Sequence, residues 1–369
     1  MSENSWSHHN PVKIIAGPGY LNKLPDLVPQ AGSVLFLSSP GFTRRGVTKK
    51  AAALLDPDRV HVYDQLRPNP ELDDLDRLVA FCRGFDVSHI VALGGGSVLD
   101  AAKVLGVALP CGMDNPLDLI FRQKQAQAWN CSLSVTAIPT TAGTGAEVTP
   151  FATVWDRVSH KKYSVSGEHV YPTCALLDPE LTLDLPFTET MYTGLDAISH
   201  ALESLWNVNR TPVSQAYATY ALELSCWALP AVLQDPQNQG HRSTMQQASL
   251  LGGLAISQTR TAIAHSISYP VTIYYGVPHG LACSFTLPAF IRRYLAHPAE
   301  SERERRLLFD TLNMLEALDL KKEMLVYTGQ YEPAALLDEM FDPERSGNYI
   351  HPMSREQVKE LLLESWPEN

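Results

Sequence analysis

The sequence predicts an α/β chain in two parts: a doubly wound parallel-sheet domain over residues 1–185, then an all-α domain over residues 186–369. In the first part, short continuous apolar runs alternate with helical periodicity, which is typical of strands buried on both faces of a parallel sheet. After Pro186 only long helical periods remain. A chain of 369 residues is also too long for one ordinary core, which favours two domains.

The elements of the first part follow in order. The apolar runs predict strands over residues 12–16, 33–37, 60–63, 89–93, 133–138 and 174–177. Helical periodicity between them predicts helices over residues 20–29, 43–55, 71–84 and 98–107. Alternating patterns over residues 151–155 and 162–165 predict a hairpin.

The second part is predicted to be a bundle of helices. Its helical patterns cover residues 188–206, 212–234, 241–258, 261–273, 281–296, 300–317, 331–340 and 354–365.

Composition excludes several classes of function. The formal net charge is −11, which argues against nucleic acid or an anionic membrane surface as a partner. No apolar run reaches the roughly 18 residues needed to span a bilayer, and the first residues do not have the pattern of a secretion signal. The six cysteines are scattered, which is typical of reduced thiols in the cytoplasm.

Four residues of the second part form a candidate metal-binding set. Asp196 and His200 are four apart, so on a helix they lie on one face, one turn from each other. His265 and His279 follow in the sequence. One carboxylate and three imidazoles suit a divalent transition metal, with room for a substrate oxygen.

Two glycine-containing loops of the first part are candidates for phosphate binding. GGGS at residues 94–97 lies between a predicted strand and a predicted helix, where glycines and free N–H groups admit phosphate oxygens. Asp100 and Lys103 extend this to the more specific pattern GGGSxxDxxK. TTAGTGAE at residues 140–147 is rich in hydroxyl groups and glycine. A tight turn is the alternative interpretation of either loop.

Taken together, these motifs resemble the iron-containing (group III) alcohol dehydrogenase family, which has a dehydroquinate-synthase-like fold. The matching stretches occur in the family's order: GGGSVLDAAK (94–103), AIPTTAGTGAEVTP (137–150), LLDPELTLDLP (176–186), GLDAISHALES (194–204), AHSISYP (264–270) and VPHG (277–280). The resemblance implies an N-terminal nucleotide-binding domain, a C-terminal helical domain and a metal in the cleft between them. It also implies aldehyde reduction or primary-alcohol oxidation with NADPH or NADH.

The resemblance assigns roles to individual residues. The metal ligands would be Asp196, His200, His265 and His279. The cofactor-binding residues would be Gly95, Gly96, Ser97, Thr140, Thr141, Thr144 and Lys162. Asp100 would lie on the nicotinamide side, as a catalytic and cofactor-binding residue.

The chain departs from the family pattern at two positions. Tyr269 replaces the second histidine of a common His-x3-His-Pro motif, so a proton relay there would pass through a tyrosine. Ser39 lies where NAD-preferring members often carry aspartate, whose charge would repel a 2′-phosphate. Arg44 and Arg45 follow and could pair with that phosphate, so we predict that NADPH is accepted and preferred. The alternative is that both arginines are solvated helix residues.

The metal is predicted to be Fe²⁺, with Zn²⁺ or Ni²⁺ also compatible with three imidazoles. It would act as a Lewis acid on the carbonyl while hydride arrives from the nicotinamide. The proton could come from water, the ribose hydroxyl or Tyr269.

Arg260 and Thr261 are the candidate substrate-binding residues. Arg260 precedes His265 by five residues, which on one helix is about 7.5 Å of rise and would place the guanidinium near the metal. A phosphonate, phosphate or carboxylate could dock there. The stretch RTAIAHSISYP also resembles the phosphonoacetaldehyde reductase branch of the family, which suggests that phosphonoacetaldehyde is reduced to 2-hydroxyethylphosphonate.

Other functions stay open at this point. Arg260 could instead pair with a structural carboxylate, which would leave an uncharged short-chain aldehyde as the substrate. A lyase of the dehydroquinate-synthase type would need more lysines, and none lies between Lys162 and Lys321. A structural or sensory metal protein would usually carry closely spaced cysteines, which are absent. The family resemblance alone suggests a homodimer.

Overall fold

The computed structural model describes residues 5–67, 69–111, 117, 121, 130–156, 161–297, 301–329, 333–341 and 343–366. The chain divides into two compact units. The sheet unit comprises the described residues of Asn10–Thr141 and Ala146–Thr182. The helical unit comprises those from Leu183 onward, the short segment Ala142–Gly145 and the N-terminal residues up to His9.

The sheet unit is built on a six-stranded sheet, counted over the described residues. Its strands are β1 (Lys13–Ala16), β2 (Ser33–Leu37), β3 (Val60–Tyr63), β4 (Val87–Gly94), β5 (Ser134–Pro139) and β8 (Cys174–Leu177). They are all parallel, in the order β1-β8-β5-β4-β2-β3. Residues 34–37 are fully buried, as the continuous apolar run predicts for a central strand. The predicted hairpin is confirmed as β6 (Phe151–Asp156) and β7 (Lys161–Ser166).

The helices of the sheet unit are α1 (Pro40–Arg44), α2 (Val47–Ala52), α3 (Leu72–Cys82) and α4 (Gly96–Ala108). The single helix predicted over residues 43–55 is wrong. Gly46 has a φ of 75°, a left-handed conformation that ends α1 and begins α2. The helix predicted over residues 20–29 is a 3₁₀ helix, Tyr20–Asp26, with Pro25 inside it.

The helical unit contains the long helices. They are α5 (Phe187–Leu205), α6 (Pro212–Gln234), α7 (Gln239–Thr259), α8 (Ile263–Tyr275), α9 (His279–Ala282), α10 (Leu287–Leu295), α11 (Glu302–Ala317), α12 (Leu320–Thr328), α13 (Pro343–Ser346) and α14 (Arg355–Ser365). Capping explains two of the beginnings, because Thr211 and Ser354 each form a capping box before α6 and α14.

Several predicted helices of this unit differ from the observed ones. The helix predicted over residues 281–296 is interrupted between α9 and α10. The segment predicted over residues 331–340 is a 3₁₀ helix, Pro333–Glu339, and residues 331 and 332 lie outside the described residues, as does residue 300. α5 packs against α6, α7 and α9, so it lies at the centre of the unit. Among the described residues, no helix has the length and apolar character that crossing a bilayer requires.

Candidate metal and cofactor sites

A buried polar cluster in the helical unit begins on α5. Asp196 and His200 lie one turn apart on this helix, and both side chains are buried. The His200 Nε2 atom is 3.4 Å from the Asp196 Oδ1 atom. The spacing of four residues therefore brings the two side chains together, as expected from the helical repeat.

Two further histidines reach the same carboxylate from α8 and α9. The Nε2 atoms of His265 and His279 are 3.6 and 3.8 Å from Asp196 Oδ1. α9 approaches α5 this closely because Gly280 has no side chain: a Cβ there would overlap the carbonyl oxygen of Tyr192. All three imidazoles of the predicted ligand set thus surround one carboxylate oxygen.

The electrostatics of the cluster are dominated by burial and by opposite charges. Burial alone would raise the pKa of Asp196, but His200 and the other imidazoles hold it well below its usual range. Burial lowers the pKa of His200. Burial also opposes the charged form of His265, but Glu203 and Asp196 raise its pKa above the ordinary value. The cluster therefore keeps its carboxylates ionised in a buried environment.

The donors present fit a divalent transition metal. The His265 Nε2 atom is buried and has no hydrogen-bond partner among the described residues, while its Nδ1 atom is hydrogen-bonded. A buried ring nitrogen without a partner is costly unless something binds it. One carboxylate and three imidazoles are ligands that Fe²⁺ and Zn²⁺ both accept.

Cys283 also lies in this cluster and was not singled out from the sequence. Its Sγ atom and one donor atom each from Asp196, His265 and His279 all lie within 4.8 Å of one another. This grouping would put sulfur in place of His200. Burial, however, raises the pKa of the Cys283 thiol well above its ordinary value, and a protonated thiol is a poor metal ligand. His200 is not part of this grouping, although its Nε2 atom also lies 3.4 Å from Asp196 Oδ1.

Glu203 is a second residue that the sequence reasoning missed. It is fully buried on α5, and its Oε2 atom is 2.6 Å from His265 Nδ1. Burial would raise the pKa of Glu203, but His265 and backbone N–H donors hold it below the ordinary value. Its place three residues after His200, on the same helix face, is the sequence signal that could have identified it.

In the sheet unit, the loop at residues 94–97 lies next to residues 140 and 141, with which the second loop begins. β4 and β5 are paired neighbours, and the Thr140 amide donates to the Gly94 carbonyl at the ends of these strands. The side chain of Thr141 lies beside Gly95, where an added Cβ would touch its methyl group at 3.4 Å. Gly96 begins α4, and the Thr140 hydroxyl is buried without a hydrogen-bond partner among the described residues. Carboxyl ends of parallel strands are where such sheets bind nucleotides.

Three other predicted cofactor residues occupy different positions. The hydroxyl of Ser97 accepts a hydrogen bond from the Asn69 amide at 3.0 Å. Thr144 belongs to the helical unit, whereas Thr140 and Thr141 belong to the sheet unit. The Lys162 ammonium lies 5.3 Å from the centre of the Trp155 ring, on the hairpin.

Asp100 connects α4 to the hairpin. Its Oδ2 atom accepts a hydrogen bond from the Thr153 amide at 2.9 Å, and its pKa is raised by burial, against the attraction of Lys103. The buried Lys103 donates to the Thr149 hydroxyl and to the Phe151 carbonyl, at 3.0 and 2.9 Å. Burial lowers the pKa of Lys103 to about 8. Both polar residues of the GGGSxxDxxK pattern therefore contact the chain after the second loop.

The predicted selectivity residues lie after β2. Ser39 precedes α1 and makes no capping hydrogen bond with its side chain. Arg44 and Arg45 are exposed, and the Arg45 guanidinium lies 4.3 Å from the centre of the Phe42 ring.

Arg260 is not on one helix with His265, so the helical spacing predicted between them is wrong. α7 ends at Thr259, and Arg260 has a φ of 62°, which turns the chain before α8 begins. The Arg260 side chain is exposed, while Thr261 is buried. Two side-chain amides stabilise the turn. The Asn207 amide donates to the Arg260 carbonyl at 3.3 Å, and the Asn348 amide donates to the Thr261 carbonyl at 2.8 Å. Positive φ at a residue other than glycine is unusual and occurs often at functional sites.

Tyr269 lies beside the cluster. Its ring is parallel to that of His279, with ring centres 6.3 Å apart. Arg345, which the sequence reasoning did not identify, places its guanidinium 4.7 Å from the centre of the Tyr269 ring. Its guanidinium carbon is therefore within 11 Å of the His279 ring centre.

Comparison with known families gives a match over most of the chain. The model for iron-containing alcohol dehydrogenase matches residues 11–179, and that for the C-terminal part of the Fe-containing alcohol dehydrogenase family matches residues 190–323.

Individual relatives agree with this match. A phosphonoacetaldehyde reductase from Streptomyces viridochromogenes is 36% identical, over 78% of this chain and 74% of its own. A sulfoacetaldehyde reductase from Bilophila wadsworthia is 31% identical, over 80% and 76%. The crystal structure of a sulfoacetaldehyde reductase from Bifidobacterium kashiwanohense in complex with NAD⁺ superposes with a TM-score of 0.87, at 26% identity, over 98% of both chains.

Proposed function

The chain belongs to the iron-containing alcohol dehydrogenase family and is an alcohol dehydrogenase or aldehyde reductase of that type, and we propose that it reduces a small anionic aldehyde. The substrate we propose is phosphonoacetaldehyde, reduced to 2-hydroxyethylphosphonate. The observation that carries the proposal of metal-assisted aldehyde reduction is the convergence of three imidazoles on Asp196, since this donor set would hold the metal that binds the aldehyde oxygen.

The metal would be held by Asp196, His200, His265 and His279, and we propose Fe²⁺ as the ion. When bound, the metal supplies a Lewis acid for the aldehyde oxygen and the nicotinamide supplies the hydride. Asp196, His200 and His265 are buried, which strengthens the electrostatic contribution of each, whereas the His279 side chain is one-third exposed.

The protein's own candidate for holding the proton is Tyr269. Its ring is parallel to that of His279, and the Arg345 guanidinium lies 4.7 Å from the centre of the Tyr269 ring. Water and the cofactor ribose hydroxyl are the alternative donors.

The anionic part of the substrate is proposed to bind at Arg260 and Thr261. The Arg260 side chain is exposed, with no carboxylate within salt-bridge distance among the described residues, so a structural ion pair is not supported there. Arg345 adds a second cation on the Tyr269 side. The phosphonoacetaldehyde and sulfoacetaldehyde reductases among the relatives support an anionic group on the aldehyde.

The cofactor is proposed to bind at the adjacent loops of the sheet unit, with NADPH preferred over NADH. Gly95, Gly96 and Ser97 would approach the pyrophosphate, and the unpartnered hydroxyl of Thr140 would donate to the cofactor. Thr141, Asp100 and Lys162, which belong to the same unit, would complete the site. Ser39 leaves the 2′-position without a repelling charge, and Arg44 is the nearby cation.

We further propose a cytoplasmic homodimer. None of the six cysteines forms a disulfide, which suits a reducing compartment. The dimer is proposed from the family resemblance alone.

The proposed substrate can be tested with one arginine substitution. The protein is loaded with Fe²⁺, and the oxidation of NADPH is followed with phosphonoacetaldehyde and with propanal. Arg260→Ala is expected to lower kcat/KM for phosphonoacetaldehyde roughly 10- to 100-fold, the loss of a charge-assisted hydrogen bond, and to change that for propanal less than about twofold.

A matched control is Arg303→Ala, which removes an exposed arginine paired with Glu223 on other helices. It is expected to leave both substrates unchanged. An equal loss with both aldehydes in Arg260→Ala would contradict the anion site and favour an uncharged short-chain aldehyde.

A further inference from the structure

The carboxylate of Glu203 accepts four hydrogen bonds from one short segment of the chain. Its Oε2 atom accepts from the Ala262 amide at 2.8 Å and lies 2.6 Å from His265 Nδ1. Its Oε1 atom accepts from the amides of Ala264 and His265, at 2.6 and 3.3 Å. Both oxygens are therefore saturated by residues 262–265, which are about 60 positions later in the sequence.

These contacts replace the ordinary cap of α8. The residue before this helix is Ala262, whose side chain cannot accept the free amides of the first turn. Glu203 supplies the acceptor from α5, and its negative charge lies at the positive end of the helix dipole. The beginning of α8, and with it the position of His265, is thus set by a side chain of the helix that carries Asp196 and His200.

The bond to Nδ1 also decides which ring nitrogen of His265 is available. A carboxylate accepts and cannot donate, so Nδ1 must carry a proton, and in the neutral ring Nε2 is then the nitrogen with a free lone pair. Nε2 is the atom that faces Asp196 and lacks a hydrogen-bond partner among the described residues. In metal proteins such a carboxylate–histidine pair orients the ring and makes the ligating nitrogen more basic.

We propose that Glu203 is a positioning residue that fixes the tautomer and orientation of His265 for metal binding and holds the turn bearing Arg260 and Thr261. The inference rests on the metal site proposed above. Since Ala262 directly follows that turn, one buried carboxylate links the third metal ligand to the proposed anion-binding residues.

The test measures metal binding by the metal-free protein, without any substrate. Zn²⁺ affinity is determined by competition with a chromophoric chelator, and the ligand field is observed in the visible spectrum of the Co²⁺ form. Glu203→Gln keeps the size of the side chain, but its NH₂ group is a donor and cannot accept a hydrogen bond from the N–H groups that it faces. It is expected to raise the Zn²⁺ Kd roughly 10- to 100-fold and to alter the Co²⁺ spectrum.

Ser204→Ala is the matched control. Ser204 is the next residue on α5, equally buried, and its hydroxyl is hydrogen-bonded to Thr259 at 2.9 Å without contact to a proposed ligand. It removes a buried hydrogen bond, so it is expected to lower Tm but to leave the Zn²⁺ Kd and the Co²⁺ spectrum unchanged. Glu203→Asp keeps the charge but is shorter by one bond of about 1.5 Å, so it should give an intermediate Kd.

Two results would overturn the proposal: an unchanged Kd and Co²⁺ spectrum in Glu203→Gln, or equal losses in Ser204→Ala. Nitrogen-15 NMR of the wild-type Zn²⁺ form provides a test that does not depend on a folded variant, since His265 must carry its proton on Nδ1. Failure of the metal site itself would look different, because the wild-type protein would then bind no Zn²⁺ at this cluster.

Discussion

The strand-end loops of the sheet unit and the buried cluster of the helical unit are built in opposite ways. The loops at residues 94–97 and 140–141 are formed by glycines, hydroxyls and backbone amides, and they follow two neighbouring strands. The cluster is formed by ionisable side chains from α5, α8 and α9, and its members lie up to 83 residues apart. The first site depends on backbone shape, whereas the second depends on balanced charges in a buried environment.

This contrast predicts different responses to substitution. Removing one charge from the cluster leaves its buried partners uncompensated, so the loss should spread through the set. In the sheet unit, the buried side chains of Lys103 and His89 are hydrogen-bonded to uncharged hydroxyl groups, those of Thr149 and Thr136. A substitution in the sheet unit should therefore have a local effect, limited to the titration of one residue or to one contact with the cofactor.

The largest expected effect is that of Asp196→Ala. All three imidazoles lie within 3.8 Å of the Asp196 carboxylate oxygen. Removing this carboxylate should therefore abolish metal retention and lower kcat/KM by about 1,000-fold or more. Metal content by mass spectrometry and aldehyde reduction are the measurements. Asp235→Ala, an exposed acid at the end of α6, is the control and should behave as wild type. Full metal content in Asp196→Ala would show that the cluster does not act as one charged unit.

A second prediction concerns the pH dependence of stability in the sheet unit. His89 is buried in β4, 3.0 Å from the Thr136 hydroxyl, and burial lowers its pKa to about 4 from the ordinary value of 6.5. Between these two pH values the unfolded chain binds a proton that the folded chain does not. The free energy of unfolding should therefore fall as the pH is lowered through this window, by at most about 3 kcal/mol.

The control for this prediction is His89→Gln, which cannot titrate. Denaturant unfolding of both proteins is compared from pH 7 to pH 4, without metal. The difference in slope between them isolates His89 from the histidines of the cluster. Parallel curves would mean that His89 binds its proton at the same pH in the folded and the unfolded chain, so that burial does not hold it as a neutral group.

The local rules that relate sequence to structure explain which features could be predicted. The strand over residues 33–37 follows from a continuous apolar run, and the pairing of Asp196 with His200 follows from the helical repeat. Both depend on neighbours within one element. The order of the motifs then identified the family and, with it, the two distant histidines.

The features that could not be predicted depend on contacts between distant segments or on single backbone angles. The break at Gly46 is a left-handed conformation, and periodicity alone does not show that a helix stops there. Glu203 looks like an ordinary helical glutamate until α8 is placed against α5, because its partners are about 60 residues away. Arg345 is similar, since its short helix gives no signal of a nearby Tyr269.

The smallest expected effect is a change in cofactor preference at Ser39. Ser39→Asp introduces a negative charge after β2, where we propose that the adenosine ribose binds, and its repulsion of the 2′-phosphate should lower the ratio of kcat/KM for NADPH over NADH about tenfold. Ser39→Asn has the same size without the charge, so it should change the ratio much less. Equal shifts of this ratio in both variants would mean that the size of the side chain, and not its charge, causes the effect. Cofactor preference at this loop would then depend on shape, as binding at the glycine loops does. A shift of the ratio in Ser39→Asp alone would show that one charge can control cofactor preference at a site formed mainly by backbone groups. Charge would then matter in both units, and more strongly in the helical one.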